Sequence, residues 1–135
     1  MRIVDTNIVA HLLMEGGRSA AARQLHKLDF DWRSEAFLLV ELTNVLASSI
    51  TMKRMTVSQA GDLLANATDL FAGKLAKVSH GLVLRTALQY RISAYDARFL
   101  ALAQQLDTRL VTEDAKLRAA APKLTQSLAE ALATA

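Results

Sequence analysis

The sequence contains no cysteine, one proline and only five glycines among its 135 residues. Without cysteine the chain has no disulfide, no thiolate zinc site and no cysteine nucleophile. The scarcity of proline and glycine, together with an abundance of alanine and leucine, favours helices over an all-β fold. The three histidines, His11, His26 and His80, are scattered without the spacing of metal ligands, so imidazole chemistry is not expected.

Long hydrophobic runs are also missing, and none approaches the roughly 20 residues that a membrane-spanning helix requires. The first residues lead directly into a β-type pattern without the features of a signal peptide, so we expect a soluble, cytoplasmic protein. Sixteen Lys and Arg against thirteen Asp and Glu give a net charge of +3, which permits a polyanionic partner without requiring one. The length predicts a single domain over residues 1–135.

Short β-type runs alternate along the chain with helical patterns. Strands are predicted over residues 2–4, around Trp32, and over 76–79 and 108–112. Helices are predicted over 8–13, 18–28, 36–49, 57–71, 82–91, 93–106 and 126–133, with a short one beginning at 113. This alternation predicts a three-layer α/β/α sandwich with a short central parallel sheet. In such folds ligands bind outside the carboxyl ends of the strands.

Two aspartates follow predicted strands at that edge of the sheet. Asp5 comes directly after the first strand, and Asp114 follows the strand that contains Leu110 and Val111. Each could instead cap the N-terminus of the next helix, which is an ordinary role for an aspartate in a turn. These two residues alone therefore do not distinguish a functional site from a pair of caps.

Glu41 lies in the middle of the helix predicted over 36–49, which is apolar nearly all round and is expected to be buried. A buried, unpaired carboxylate is costly, and the neighbours of Glu41 one helical turn away carry no positive charge. A divalent metal would compensate the charge. An arginine from elsewhere in the fold, or a strip of the helix that faces solvent, would also explain this residue.

Asp96 lies three residues after Ser93, a spacing at which the two could form a capping box. The start of a helix is also a suitable place to hold a carboxylate whose outer oxygen binds a metal. If all four acids meet at one mouth of the sheet, they provide the oxygen ligands that Mg²⁺ prefers.

Four segments around these acids resemble the acidic motifs of PIN-domain ribonucleases, and most closely those of VapC-type toxins of bacterial toxin–antitoxin pairs. The segments are Val4–Asn7, Glu41–Leu46, Tyr95–Ala103 and Leu110–Asp114, and they agree in order and spacing. The resemblance covers nearly the whole chain, although residues 53–75 carry little of it. It implies a PIN-like fold with a set of metal-binding carboxylates and supporting polar groups. The carboxylates are Asp5, Glu41, Asp96 and Asp114, and the polar groups are Thr6, Asn7 and Thr112.

The resemblance also implies an activity and partners. It implies an endoribonuclease that hydrolyses RNA phosphodiester bonds with Mg²⁺ or Mn²⁺. It further implies a homodimer and a cognate VapB-like antitoxin that blocks the acidic site. Arg98 and Lys116, each two residues beyond an expected metal ligand, are candidate RNA contacts. Trp32 is better explained by packing than by base stacking.

Three other interpretations remain open. A haloacid-dehalogenase phosphatase would also place Asp5 after a first strand, but Asn7 stands where its second aspartate would be. A receiver domain shares the fold class, but the acidic pair that would hold its magnesium is missing. The third is a non-catalytic α/β binding module in which the acids merely cap helices, and Glu41 argues against it.

Overall fold

The computed structural model describes all 135 residues, and its centre is a sheet of five short parallel strands. The strands are β1 (Arg2–Val4), β2 (Trp32–Glu35), β3 (Leu75–Ala76), β4 (Leu110–Val111) and β5 (Thr125–Gln126). Their order is β3-β2-β1-β4-β5, so the first strand lies in the middle. Ile3 is paired with Arg33 on one side and with Leu110 on the other. Because every pairing is parallel, the carboxyl ends of all five strands meet at one edge.

Eight helices flank this sheet and complete the predicted three-layer α/β/α architecture, which is confirmed. They are α1 (Thr6–Leu13), α2 (Ser19–Leu28), α3 (Leu38–Thr51), α4 (Val57–Leu70), α5 (His80–Tyr90), α6 (Ala94–Gln105), α7 (Ala115–Ala120) and α8 (Leu128–Ala133).

The core lies between the central strands and α6. Ile3, Val4, Leu110 and Val111 are fully buried, as expected for parallel strands that are covered on both faces. Residues 99–103 of α6 are all buried against the sheet. Trp32 is also a core residue, which agrees with packing rather than base stacking as its role.

The prediction that the third helix is buried all round is wrong. Only one stripe of α3 is buried, formed by Leu38, Leu42, Leu46 and Ser49. Val40 on another face is exposed, and Glu41 is only half-buried. The helix borders a cleft at the carboxyl edge of the sheet, and its apolar residues Val40 and Val45 line this cleft.

Two predicted strand and helix boundaries also differ from the structure. The last helix was expected to begin at Gln126, but Thr125 and Gln126 pair with β4 as a fifth strand. Ser127 then caps α8 in a capping box with Glu130. The strand expected over 76–79 is shorter and earlier, because the Ser79 hydroxyl caps α5.

The strand order separates this fold from one of the alternatives. Receiver domains have the flavodoxin-like order 2-1-3-4-5, whereas the order here is 3-2-1-4-5. None of the eight helices combines the length and the hydropathy needed to span a bilayer.

Candidate active site

A cleft of about 580 Å³ opens at the carboxyl edge of the sheet, and all four acids singled out in the sequence line it. The first halves of α1, α3 and α6 form its walls, together with the residue before α7. The lining residues are Asp5, Thr6, Asn7, Phe37, Val40, Glu41, Asn44, Val45, Tyr95, Asp96 and Asp114.

Asp5 leaves the central strand β1 and is buried at the base of the cleft. It caps α1, but it does so with one oxygen: Oδ1 accepts the Thr6 backbone N–H at 2.7 Å. Oδ2 accepts the Thr112 hydroxyl at 2.8 Å and the Asn7 amide at 3.3 Å. Burial raises the pKa of Asp5 to about 7, although the hydrogen bonds from Thr112 and Thr6 act in the opposite direction.

Asn7 and Thr112 join the ends of β1 and β4. The Asn7 amide donates to the Thr112 hydroxyl at 3.2 Å, and its oxygen accepts the backbone N–H of Glu113 at 3.1 Å. The Thr112 hydroxyl also accepts the backbone N–H of Asp114 at 3.1 Å. This network fixes the orientation of the Asp5 carboxylate and of the turn that carries Asp114.

Glu41 faces the same cleft from α3. The Thr6 hydroxyl donates to its Oε1 at 2.7 Å, while Oε2 accepts no hydrogen bond. Burial raises the pKa of Glu41 above its ordinary value, and the hydrogen bond from Thr6 partly opposes this. Thr6 therefore connects Asp5 to Glu41, through its backbone N–H and its hydroxyl respectively.

Asp96 and Asp114 complete the acidic set. The Ser93 hydroxyl caps α6 by accepting the Asp96 backbone N–H at 3.1 Å. The Asp96 carboxylate does not bond to the Ser93 backbone, so the capping box that the spacing allowed does not form. Burial raises the pKa of Asp96, and the negative charge of Asp114 raises it further. Asp114 does cap α7, because its Oδ1 accepts two backbone N–H groups, but its Oδ2 is free.

The four carboxylates of the cleft differ from the other nine acids of the chain because they combine burial with the lack of a cation. Five acids form salt bridges: Glu15, Asp29, Asp31, Glu35 and Glu113. Four more, Asp62, Asp69, Asp107 and Glu130, are exposed to water. Only the four acids of the cleft are at least half-buried and also unpaired. Such an arrangement is costly unless a cation approaches from outside the chain.

These residues fit a hard divalent cation. Carboxylate oxygens are the ligands that Mg²⁺ and Mn²⁺ prefer, and Glu41, Asp96 and Asp114 each keep at least one oxygen without a hydrogen bond. No three of the acids form a ready-made chelating group. Mg²⁺ retains several waters and needs few direct protein ligands, so it does not require such a group.

The two candidate RNA contacts have different surroundings, and neither lines the cleft. The Arg98 guanidinium lies 3.5 Å from Oε2 of Glu35, whose side chain is 1% exposed, and 5.6 Å from the centre of the Phe37 ring. Lys116 is exposed and forms no salt bridge. Glu35 was not identified from the sequence, because an acid just before a helix is common and gives no sign of burial.

The cleft also contains residues that were not singled out as functional. Phe37 and Asn44 lie four residues before and three residues after Glu41, so helical spacing could have placed them on its face. Tyr95 directly precedes Asp96. The rings of Phe37 and Tyr95 are stacked, with centres 5.3 Å apart and an angle of 11° between their planes.

Comparisons with known proteins agree with this geometry. The model of the PIN domain family matches residues 2–123. No curated protein matches the sequence significantly. The crystal structure of PAE2754 from Pyrobaculum aerophilum is similar, with a TM-score of 0.80 and 21% identity, over 98% of this chain and 93% of that one. The crystal structure of FitAcB from Neisseria gonorrhoeae is similar with a TM-score of 0.67 and 18% identity, over 95% and 98% of the two chains.

Proposed function

Since this chain belongs to the PIN domain family, whose members are generally nucleases, we propose that it is a metal-dependent endoribonuclease that hydrolyses RNA phosphodiester bonds. The observation that carries the proposal is the set of four unpaired carboxylates in one cleft. Helix capping accounts for part of the contacts of Asp5 and Asp114, but it explains neither Glu41 nor the carboxylate of Asp96.

Asp5, Glu41, Asp96 and Asp114 would hold Mg²⁺ or Mn²⁺. When bound, such an ion lowers the pKa of a water and neutralises negative charge that develops on the phosphate. Thr6, Asn7 and Thr112 keep Asp5 and Glu41 in fixed orientations through their hydrogen bonds. Glu41 has one oxygen fixed and one free, so Oε2 can accept a hydrogen bond from the attacking water and orient it.

The proposal extends to the partners that the sequence motifs imply. The resemblance to VapC-type toxins supports a cytoplasmic toxin that forms a homodimer and is inhibited by a VapB-like antitoxin. A basic side chain of such an antitoxin would find four uncompensated carboxylates in the cleft. Lys116, which is exposed and unpaired, is the better placed of the two candidate RNA contacts.

RNA cleavage by the purified protein tests the proposal. We expect cleavage with Mg²⁺ or Mn²⁺, none in excess chelator, and a loss of about 100-fold or more for Glu41→Gln. Asp69→Asn is the matched control, because it removes an exposed carboxylate that does not line the cleft. Mg²⁺ should raise the melting temperature of the wild type and of Asp69→Asn, and much less that of Glu41→Gln.

Two results would contradict the nuclease site. One is undiminished cleavage in excess chelator. The other is a Glu41→Gln protein that cleaves RNA and responds to Mg²⁺ like Asp69→Asn. A binding module whose acids only cap helices predicts neither cleavage nor any change in metal response.

A further inference from the structure

We propose that Tyr95, stacked on Phe37 at the wall of the acidic cleft, binds an unpaired nucleobase of the RNA substrate. This inference rests on the proposed ribonuclease function and specifies which form of RNA the site accepts. It concerns substrate selection, and it assigns to Tyr95 a role in binding rather than in the chemical step.

The two rings form a surface that is exposed on one side only. Phe37 is half-buried, whereas the Tyr95 side chain is 61% exposed although its ring stacks on Phe37. With one face covered by Phe37, this exposure leaves the opposite face of Tyr95 open to solvent. An open aromatic face is the group on which single-stranded nucleic acids stack their bases.

Phe37, on which the Tyr95 ring stacks, is also held in place before any substrate binds. The backbone N–H of Phe37 donates to Oε1 of buried Glu35 at 2.9 Å. Oε2 of the same carboxylate pairs with Arg98, whose guanidinium lies near the Phe37 ring. Phe37 is therefore fixed through both its backbone and its ring, so a base that stacks on Tyr95 has little ordering cost to overcome.

The position of Tyr95 connects base binding to the acidic site. Tyr95 is adjacent to Asp96 in the chain, and both line the cleft. A nucleobase is joined to its phosphate through a single sugar, so a base on Tyr95 keeps a neighbouring phosphate beside the carboxylates. This continuity favours a nucleotide over an apolar segment of a partner protein as the occupant of the surface.

Stacking on Tyr95 requires a base that is free on one face. Bases inside a duplex are covered on both faces by their neighbours, whereas bases in loops and single strands can be turned outward. The site should therefore prefer unpaired RNA. It should tolerate different sequences around the cleavage point, because every base has an aromatic face.

Fluorescence of 2-aminopurine in a single-stranded RNA oligonucleotide tests the inference, in Glu41→Gln protein with Mg²⁺ so that cleavage does not interfere. We expect binding to quench this fluorescence, and we expect Tyr95→Phe in the same background to preserve both affinity and quenching. Tyr95→Leu, which keeps an apolar side chain without a ring, should lose the quenching and bind about 5- to 100-fold more weakly. The melting temperature of Tyr95→Leu should fall by only a few degrees, because Tyr95 is 61% exposed and its ring loses only the stacking on Phe37. A duplex of the same sequence should bind all three proteins equally.

Equal quenching and affinity for Tyr95→Leu and Tyr95→Phe would overturn the inference. That result would favour a protein segment as the partner of this surface. The outcome is separable from that of the proposed function. Quenching that depends on Tyr95, without cleavage by the wild type, would refute the nuclease and keep the stacking site. Metal-dependent cleavage by the wild type, with no dependence of binding on Tyr95, would refute the stacking site and keep the nuclease.

Discussion

At the scale of single residues, Asp5 combines two roles that sequence patterns present as alternatives. It caps α1 with one oxygen and belongs to the acidic cleft with the other. The two roles are compatible because a carboxylate has two oxygens and several lone pairs. The same is true of Asp114, which caps α7 through Oδ1 and leaves Oδ2 free.

The buried carboxyl of Asp5 should make the metal-free protein less stable as the pH rises. Burial raises the pKa of Asp5 from its ordinary value of 3.8 to about 7, so between these values the native state holds a proton that the unfolded chain releases. The raised pKa values of Glu41 and Asp96 act in the same direction. Burial lowers the pKa of His11 and His26, and this acts in the opposite direction. The contribution of Asp5 alone to the free energy of unfolding should decrease between pH 4 and pH 7 by about 4 kcal/mol at most. Urea denaturation in chelator measures this change.

Asp5→Asn should flatten this pH dependence and leave the metal-free protein equally or more stable at pH 8, since the neutral amide can still cap α1. Asp69→Asn should keep the wild-type slope. Mg²⁺ should stabilise the wild type more at pH 8 than at pH 5, because protons compete with the cation for the carboxylates. The same pH dependence of stability for the wild type and Asp5→Asn in chelator would contradict this account of Asp5.

The sequence allowed some of the site residues to be identified on physical grounds and not others. Glu41 was identifiable because it interrupts an apolar run and none of its helical neighbours is a cation. Its expected place in mid-helix is wrong, because α3 begins at Leu38 and Glu41 lies in the first turn. The sequence could not show that the Asp96 carboxylate stays outside a capping box, because its spacing from Ser93 is the same whether or not the box forms. Glu35 and Tyr95 were also missed, since their burial and exposure depend on how β2, α3 and α6 pack together.

At the scale of secondary-structure elements, helix starts were predictable where the capping residues act within one turn. Thr56 and Gln59, which have the sequence spacing of a capping box, form one at the start of α4 with bonds of 2.9 and 3.1 Å. Strand β5 was not predictable, because two residues carry no periodicity and their extended conformation depends on pairing with β4. One face of α3 is exposed because it borders the cleft. No local sequence pattern encodes the position of this cleft.

The ion pair between Glu35 and Arg98 connects β2 to α6, and its removal should destabilise the fold. Arg98→Ala leaves a carboxylate that is 1% exposed without its cation. We expect a loss of about 3 kcal/mol in the free energy of unfolding, the lower end of the usual range because the Arg98 side chain is 20% exposed. Urea denaturation of Arg98→Ala beside Lys116→Ala measures the difference.

Lys116→Ala is the matched control, with a change of at most about 0.5 kcal/mol because Lys116 is exposed and unpaired. Replacing both partners, as in Glu35→Gln with Arg98→Met, should recover part of the lost stability. If Arg98→Ala were as stable as Lys116→Ala, the ion pair would have no structural role and Arg98 would again be a candidate RNA contact.

At the scale of the whole molecule, α5 presents the most suitable surface for the expected homodimer. Leu84 and Leu88 lie one turn apart on this helix and are 59% and 72% exposed. No other helix carries two exposed large apolar side chains. Neighbouring apolar side chains on a surface commonly mark a contact with another protein.

If the proposed homodimer forms through α5, replacing both leucines with glutamate should convert it to a monomer, because it would place charges in an apolar interface. Sedimentation equilibrium gives the mass directly. Val57→Glu, at a single exposed apolar position on α4, is the control and should remain dimeric. A Leu84→Glu and Leu88→Glu protein with the same mass as the wild type would exclude α5 as the interface.

Asp5 and the Thr112 hydroxyl that bonds to it are 107 residues apart in the chain. Strand β1 is synthesised first, yet its neighbour β4 follows only after α6. Ribosomes add about 5–20 residues per second, so for several seconds of synthesis the nascent chain has Asp5 and Glu41 but lacks the turn at 112–114. The cleft proposed as the nuclease site therefore stays incomplete during synthesis until residues 112–114 have been added and have left the ribosome.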